Sequence, residues 1–235
     1  MSDHSLSLIL PAFNEAENLS ATVEDALSSL ANFAPELEIL IVDDGSIDAT
    51  AEVGEHLASR HPLVRIIRHP HNRGYGATLR SGFAAARYDL VFFTDSDGQF
   101  RFDQVGEFIK QIDAFDMVIG FRADRQDRWW RKANSRIGNW LARTLLGVRV
   151  KDINCAYKMF HRPLLQQLSL TSEGAMINTE LLALAAQAGW TFQEVAVAHY
   201  PRKFGNATGA KFLVIIRTFA EYFQLRHRIA SLRRQ

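Results

Sequence analysis

Leu37-Glu38-Ile39-Leu40-Ile41-Val42-Asp43-Asp44-Gly45-Ser46-Ile47-Asp48 changes character at one point. From Ile39 to Val42 the residues are apolar without polar alternation, as in a strand buried on both faces of a helix-covered, mostly parallel sheet. The six residues after Val42 are acids, glycine, serine and one isoleucine, so the strand is expected to end at Asp43 in a polar loop. A carboxylate closing a buried strand is costly unless something pairs with it. A nucleobase N–H or a ribose hydroxyl would do so.

The same alternation extends in both directions. It predicts strands over Leu6–Pro11, Val64–Arg68, Leu90–Thr94, Met117–Gly120, Ala156–Phe160 and Phe192–Val197. Helices are expected over Glu15–Leu30, Ala49–Arg60, Tyr75–Ala86, Phe102–Ile112, Ala133–Leu146, Glu180–Ala188 and Ala210–Arg228. Strands separated by helical patterns form βαβ units, so the fold class is α/β, a mostly parallel sheet flanked by helices. With 235 residues and no linker-like break, one domain over residues 1–209 is expected, followed by a basic amphipathic helix over 210–235 that is no domain of its own.

Bulk composition excludes more than it identifies. Lys and Arg number 27 against 26 Asp and Glu, so net charge says nothing about an anionic partner; no nucleic-acid partner is expected. The sole cysteine, Cys155, rules out an intramolecular disulfide and a multi-cysteine metal site. No secretory signal and no run of about 18 apolar residues is present, so a cytoplasmic protein that does not cross a membrane is expected.

In open α/β sheets, ligands lie beyond the carboxyl ends of the strands. Three polar clusters fall there: Pro11-Ala12-Phe13-Asn14-Glu15, Asp43 to Asp48, and Thr94-Asp95-Ser96-Asp97-Gly98-Gln99. Asp95 and Asp97 are two apart on extended chain, so both carboxylates can face one side, with the Gln99 amide continuing the series. Hard oxygen donors of this kind suit Mg²⁺ or Mn²⁺ whose shell is completed by substrate phosphates. A solvated loop of turn-forming residues has the same spelling. Asn14 with Glu17 also reads as a capping box, and Ser46 or Asp48 as a cap of the second helix. Asn72-Arg73-Gly74-Tyr75-Gly76-Ala77 opens a helix; its glycines permit close approach of the backbone to an anion at the helix start, or form a tight loop.

In this order and at these intervals, PAFNE (11–15), DDGSID (43–48), NRGYGAT (72–78) and TDSDGQF (94–100) resemble the signatures of the inverting glycosyltransferase family 2, with its GT-A fold. Within it the chain is most similar to the polyprenyl-phosphate branch typified by dolichol-phosphate mannose synthase, over Leu6 to about Arg226. The resemblance implies a metal-dependent hexosyltransferase using GDP-mannose or a UDP-hexose. It places Pro11, Phe13, Asn14, Glu15, Asp43, Asp44, Ser46, Arg73, Gly74, Gly76, Asp95 and Ser96 around the nucleotide. Asp95, Asp97 and Gln99 take the Mg²⁺ or Mn²⁺ position, and Asp97, Asp95 and Arg202 the catalytic one. Arg122, Arg131 and Ser135 fall at an acceptor-phosphate site, and Glu180 where relatives that activate a sugar hydroxyl carry their base. Two stretches differ: Asp152-Ile153-Asn154-Cys155-Ala156-Tyr157, where relatives often have Gly-Phe, and Gly205 to Gly209, where many carry Ser-Lys.

The implied partners are a nucleotide sugar, a polyprenyl phosphate, a membrane surface and, in some such systems, an anchoring protein. Trp129, Trp130, Trp140, Leu141, Leu145 and Leu146 beside Arg128, Arg131 and Lys132 fit an interfacial helix, as do Phe212, Ile215, Ile216, Phe219 and Phe223 beside the basic tail. Core packing with a solvated face is the competing account. Peripheral attachment to the cytoplasmic face is therefore expected. A family 2 enzyme with a saccharide acceptor and a catalytically silent nucleotide-sugar binder remain alternatives. A nucleotidyltransferase is disfavoured, because PAFNE stands where its glycine-rich loop belongs.

Overall fold

The computed structural model describes residues 4–123, 129–202, 204 and 212–232, with 129–136, 212–220 and 232 described by backbone alone. Strands and helices alternate: β1 (Leu6–Ala12), α1 (Ala16–Leu30), β2 (Leu37–Asp43), α2 (Thr50–Arg60), β3 (Val64–Arg68), α3 (Tyr75–Ala85) and β4 (Leu90–Thr94). A 3-10 turn at Phe102–Gln104 leads into α4 (Val105–Ile112). Then follow β5 (Met117–Arg122), α5 (Trp129–Leu146), β6 (Tyr157–His161), α6 (Arg162–Leu165), α7 (Ile177–Gln187), β7 (Phe192–Val197) and α8 (Phe212–Leu232).

The strands form one sheet in the order β3-β2-β1-β4-β6-β5-β7. β6 runs antiparallel to both β4 and β5, while every other pairing is parallel. Six strands therefore point their carboxyl ends at one edge, and β6 starts from that edge. All residues of β1 and β2 are buried, as the unbroken apolar run demands. Glu38, the one charge inside that run, is satisfied at the opposite end of the sheet: its carboxylate accepts from Ser7 Oγ (2.7 Å), Arg65 (2.6 Å) and the Arg87 N–H (2.7 Å). Beneath β4 the rings of Phe92, Phe102, Phe108 and Tyr157 meet edge-on or tilted, at centroid distances of 4.7 to 6.3 Å, the arrangement aromatic quadrupoles favour.

The differences from the sequence reading lie in the second half. α5 already includes Trp129, ahead of the expected start at Ala133, and α8 continues to Leu232, past the expected end at Arg228; the expected start of α8 at Ala210 lies outside the described residues. α7 begins at Ile177, three residues before Glu180; Ile177 to Ala185 are all buried, so no amphipathic stripe marks where it starts. α6, a single turn opened by Pro163, is too short to have a period. The expected boundary between 209 and 210 lies outside the described residues. Tyr222, Leu225 and Ile229 of α8 are buried in the common core.

Candidate active site

The sheet order puts β2, β1 and β4 side by side, so the three polar clusters meet at one edge. Short hydrogen bonds sew the tips together. Asn14 adopts φ +56°, a left-handed conformation that asparagine tolerates better than most residues. Its N–H donates to Ser46 Oγ at 2.9 Å and its side-chain oxygen accepts from the Ile47 N–H at 3.0 Å. The Glu15 N–H donates to Thr50 Oγ1 at 2.8 Å. These bonds replace the expected capping box of α1, because Asn14 and Ser46 fasten loop to loop, while Asp48, the other expected cap of α2, accepts from the Thr50 N–H at 3.0 Å and from the Ala16 N–H at 3.3 Å, at the starts of both helices. Ser96 is likewise internal, its hydroxyl donating to the Pro11 carbonyl at 2.7 Å.

Asp43 is 0% exposed. Its Oδ1 accepts from the Ser46 N–H at 3.1 Å, while Oδ2 has no hydrogen bond and only Arg68 Nε, at 3.5 Å, nearby. The unmet acceptor expected from the sequence is therefore present. Beside it a cavity of about 580 Å³ is lined by Phe13, Ser46, Arg68 and the backbone stretch His69 to Asn72, a volume in the range of small-molecule sites. Phe13 and Ile47 are exposed on its rim.

Three of the residues expected around the nucleotide are engaged within the fold. Asp44 is spent internally, accepting from His69 Nδ1 at 2.7 Å and from the N–H groups of Arg73 (2.9 Å) and Gly74 (2.8 Å). The close approach permitted by Gly74 and Gly76 is to the chain's own segment 172–174: a Cβ on Gly74 would lie 2.5 Å from the Glu173 carbonyl oxygen, and one on Gly76 would strike the Ser172 carbonyl. That Glu173 oxygen also accepts from the Gly76 N–H at 2.7 Å, so the start of α3 is capped by protein rather than by an anion. Arg73 is exposed.

On the other side of β1, Arg202 joins two of the tips. Its guanidinium hydrogen-bonds Glu15, lies 3.6 Å from Asp97 Oδ2 and donates through Nε to the Phe204 carbonyl at 2.6 Å. Asp97 Oδ1 accepts from the Gln99 N–H at 3.1 Å. The Gln99 side-chain amide donates to the Tyr200 carbonyl at 3.0 Å, tying this loop to the segment after β7. Burial, with the Asp97 charge adding to it, pushes Asp95 up to about 7. Burial also raises Asp97, against the pull of the Gln99 N–H and Arg202. Two adjacent carboxyls held above their ordinary range are short of positive charge, which fits a divalent cation. Among the described residues no group of three or more His, Cys, Asp or Glu forms a cage. Two carboxylates suit an ion that takes its other ligands from phosphate and water.

The residues expected to meet an acceptor fare differently. Arg122 is taken up by Asp152 in a two-pronged pair, Nε to Oδ2 at 2.7 Å and Nη2 to Oδ1 at 2.9 Å, though its charge still acts on Asp95. Arg131 and Ser135 lie outside the residues whose side chains are described, as do Trp129, Trp130, Phe212, Ile215, Ile216 and Phe219; Gly205 to Gly209 are outside altogether. Glu180 is 0% exposed and accepts from the N–H groups of Thr171 (3.0 Å) and Ser172 (2.7 Å), from Thr171 Oγ1 (3.0 Å) and from Arg228. Burial alone would raise it, but the bonds from Ser172 and Thr171 outweigh burial and leave it below its ordinary value. It is a structural anion with its lone pairs engaged.

Three residues that sequence reasoning did not single out surround Asp95. The Tyr75 hydroxyl donates to Asp95 Oδ1 at 3.0 Å, the Asn178 side chain adjoins that hydroxyl and favours its ionised form, and Lys158 Nζ donates to Asn178 Oδ1 at 3.0 Å. Lys158 is 0% exposed on β6, and burial brings it down to about 8. A lysine inside the hydrophobic run Tyr157–Phe160 was the available signal, since a buried ammonium needs partners.

A family model described as "Glycosyl transferase family 2" matches residues 7–169. Among curated proteins, an undecaprenyl-phosphate 4-deoxy-4-formamido-L-arabinose transferase from Serratia proteamaculans is 30% identical over 205 residues, 86% of this chain and 62% of its own length. A dodecaprenyl-phosphate galacturonate synthase from Rhizobium johnstonii is 27% identical over 230 residues, 95% of this chain and 68% of its own. The chain thus spans less than two thirds of the first of these. Among solved structures, glucosyl-3-phosphoglycerate synthase from Mycobacterium tuberculosis, in complex with Mn²⁺, UDP and phosphoglyceric acid, superposes with a TM-score of 0.72 at 22% identity, covering 95% of this chain and 78% of that one. At that identity the likeness concerns the fold.

Proposed function

The chain belongs to glycosyl transferase family 2, and from that premise we propose that it transfers a sugar from a nucleoside diphosphate to a polyprenyl phosphate, peripherally at the cytoplasmic face of a membrane. The observation carrying the proposal is the meeting, at one sheet edge, of an under-charged carboxyl pair (Asp95 and Asp97), an arginine bridging Asp97 to Glu15, and a cavity next to the Asp43 oxygen that accepts no hydrogen bond. Phe13 offers a ring to the base and Asp43 an acceptor to a base N–H or a ribose hydroxyl. Asp95 and Asp97 would hold Mg²⁺ or Mn²⁺, which when bound offsets the charge of the departing diphosphate. Arg202 stands where the same charge develops and adds its own. Gln99 positions Asp97 through its backbone N–H and remains a candidate ligand through its amide oxygen.

A phosphate acceptor is ionised near neutral pH and attacks the anomeric carbon without a general base. Such an acceptor suits a site in which Glu180, the residue at the base position of some relatives, is consumed by the fold. The names of the polyprenyl-phosphate relatives support the same acceptor class. Arg131 and Ser135 keep the acceptor-phosphate role here, with Arg122 contributing charge while its fork rests on Asp152.

The test is transfer of radiolabelled sugar from GDP-mannose, UDP-glucose and UDP-galacturonate into organic-extractable lipid, using polyprenyl-phosphate vesicles with and without Mn²⁺. One donor should label the lipid in a metal-dependent way, and Asp97→Ala should lower that rate by at least about a hundredfold, the scale of losing one transition-state charge contact. Transfer to a free saccharide but not to lipid phosphate would overturn the acceptor assignment.

A further inference from the structure

Tyr75, Asn178 and Lys158 come from three different elements, α3, α7 and β6, and converge behind the tip of β4. Their hydrogen bonds have a fixed direction. An ammonium only donates, and Lys158 Nζ has three acceptors for its three protons: the Ile153 carbonyl at 3.0 Å, the Cys155 carbonyl, and Asn178 Oδ1 at 3.0 Å. Because Lys158 claims the amide oxygen, the orientation of the Asn178 amide is not free, and its NH₂ is the group left for Tyr75. A phenol has one proton. That proton is directed to Asp95 Oδ1 at 3.0 Å, which leaves the phenol oxygen to the Asn178 NH₂ beside it.

The surroundings hold this chain still. Lys158 is 0% exposed and Asn178 4%. Tyr75 opens a helix whose first turn is clamped from both sides, by Asp44 through the Gly74 N–H and by the Glu173 carbonyl through the Gly76 N–H. The 172–174 segment is in turn pinned by Glu180 of α7, the helix that carries Asn178. None of these groups reaches the cavity beside Phe13, so solvation or nucleobase binding does not account for them.

We propose that Lys158, Asn178 and Tyr75 form a one-way hydrogen-bond relay that positions Asp95, holding one carboxylate oxygen so that the other is presented in a fixed direction to the diphosphate and its cation. The inference rests on the proposed function, in which Asp95 belongs to the donor site. The three are positioning residues, acting through Asp95. A relay of this kind polarises along its length, so the Tyr75–Asp95 bond is stronger than an isolated phenol–carboxylate bond.

Two substitutions separate a relay from mere packing. Tyr75→Phe removes the last donor with little change of shape. Asn178→Asp is the sharper probe: the new carboxylate still accepts from Lys158, and so preserves the buried pairing, but it has no N–H for Tyr75 and competes with Asp95 for the phenol proton. UDP and GDP are titrated by calorimetry into the full chain with MnCl₂ to find the one that binds, and the matching UMP or GMP is titrated without metal. Melting temperatures report folding. Both variants are expected to bind the diphosphate with Mn²⁺ about tenfold more weakly than the unmodified protein, one charge-assisted hydrogen bond's worth, while binding the monophosphate as before. Variants that fold and bind the diphosphate within twofold of the unmodified protein would overturn the relay. Should Asn178→Asp not fold, Tyr75→Phe decides alone. An unmodified protein that binds neither UDP nor GDP with Mn²⁺ overturns the donor-site reading itself, and the relay with it.

Discussion

Asp95 is the residue through which protons and cations should be linked. Its ordinary value is 3.8, and burial with the neighbouring Asp97 charge brings it to about 7. Below pH 7 the metal-free protein therefore holds a proton there that a cation must displace. Apparent Mn²⁺ affinity should climb about tenfold per pH unit from 5.5 toward 7 and level off above it, for one proton released. The sign for stability is the opposite of a salt-bridged carboxylate's: a raised folded value means that the contribution of Asp95 to stability falls as pH rises from about 4 to 7. Manganese titrations across that range, followed by electron paramagnetic resonance, check the first part, and a flat profile would contradict it. The acids themselves were legible at this scale because a charge closing an apolar strand, as at Asp43 and Asp95, has few structural uses. Gly74 and Gly76 left two readings open, because sequence states that a backbone must be approached closely, not by what. Here the partner is a segment about a hundred residues downstream.

At the scale of elements, α7 shows how a residue in a catalytic-looking position can be structural. Glu180 lies within the first turn of α7 and binds the 171–172 backbone on one side and Arg228 of α8 on the other. It thereby ties α8 to the loop that caps α3. Glu180→Gln leaves Arg228 without its anion and weakens the bonds to Thr171 and Ser172. Breaking a buried pair costs about 3–5 kcal/mol; with Arg228 partly exposed, a loss of about 2 kcal/mol is expected. Since the folded value of Glu180 is lowered, this stability is present above the ordinary glutamate range and disappears as pH falls through the folded value. Urea unfolding at pH 7 and at pH 4 should show the variant's deficit shrinking in acid. Its kcat, measured well below melting, should stay within a few-fold of the unmodified rate, whereas a hundredfold drop in a folded variant would restore Glu180 as a base. That β1 to β4 form parallel βαβ units could be read from alternating apolar and helical stretches, though not their order in the sheet. The antiparallel insertion of β6 could not, because nothing in Tyr157 to His161 records the direction of the strand beside it.

For the whole molecule, the question is how a chain with no membrane-crossing helix among its described residues would meet the proposed lipid acceptor. Six strands end at one edge, β5 among them at Arg122, and the chain is helical again by Trp129 in α5. α8 packs along α5, with the Tyr222 hydroxyl donating to the Gly138 carbonyl at 3.0 Å. Next to that contact, Ile137, Trp140 and Phe223 are exposed, Trp140 at 61% and Phe223 at 58%, and Arg143 and Arg226 lie on the same two helices. Aromatic side chains at an interface and arginines facing anionic headgroups are the components of interfacial attachment. Burying two large side chains even partly is worth about 2 kcal/mol, so the Trp140→Ala, Phe223→Ala double variant should bind anionic vesicles about thirtyfold more weakly. Binding of the unmodified chain should also fall as salt rises, because the headgroup attraction is screened. The same variant should keep its affinity for UDP or GDP with Mn²⁺, since neither side chain contacts the strand tips. Co-sedimentation that is absent at low salt, or unaltered in the double variant, would remove this face from the account and leave the lipid phosphate to arrive by another route.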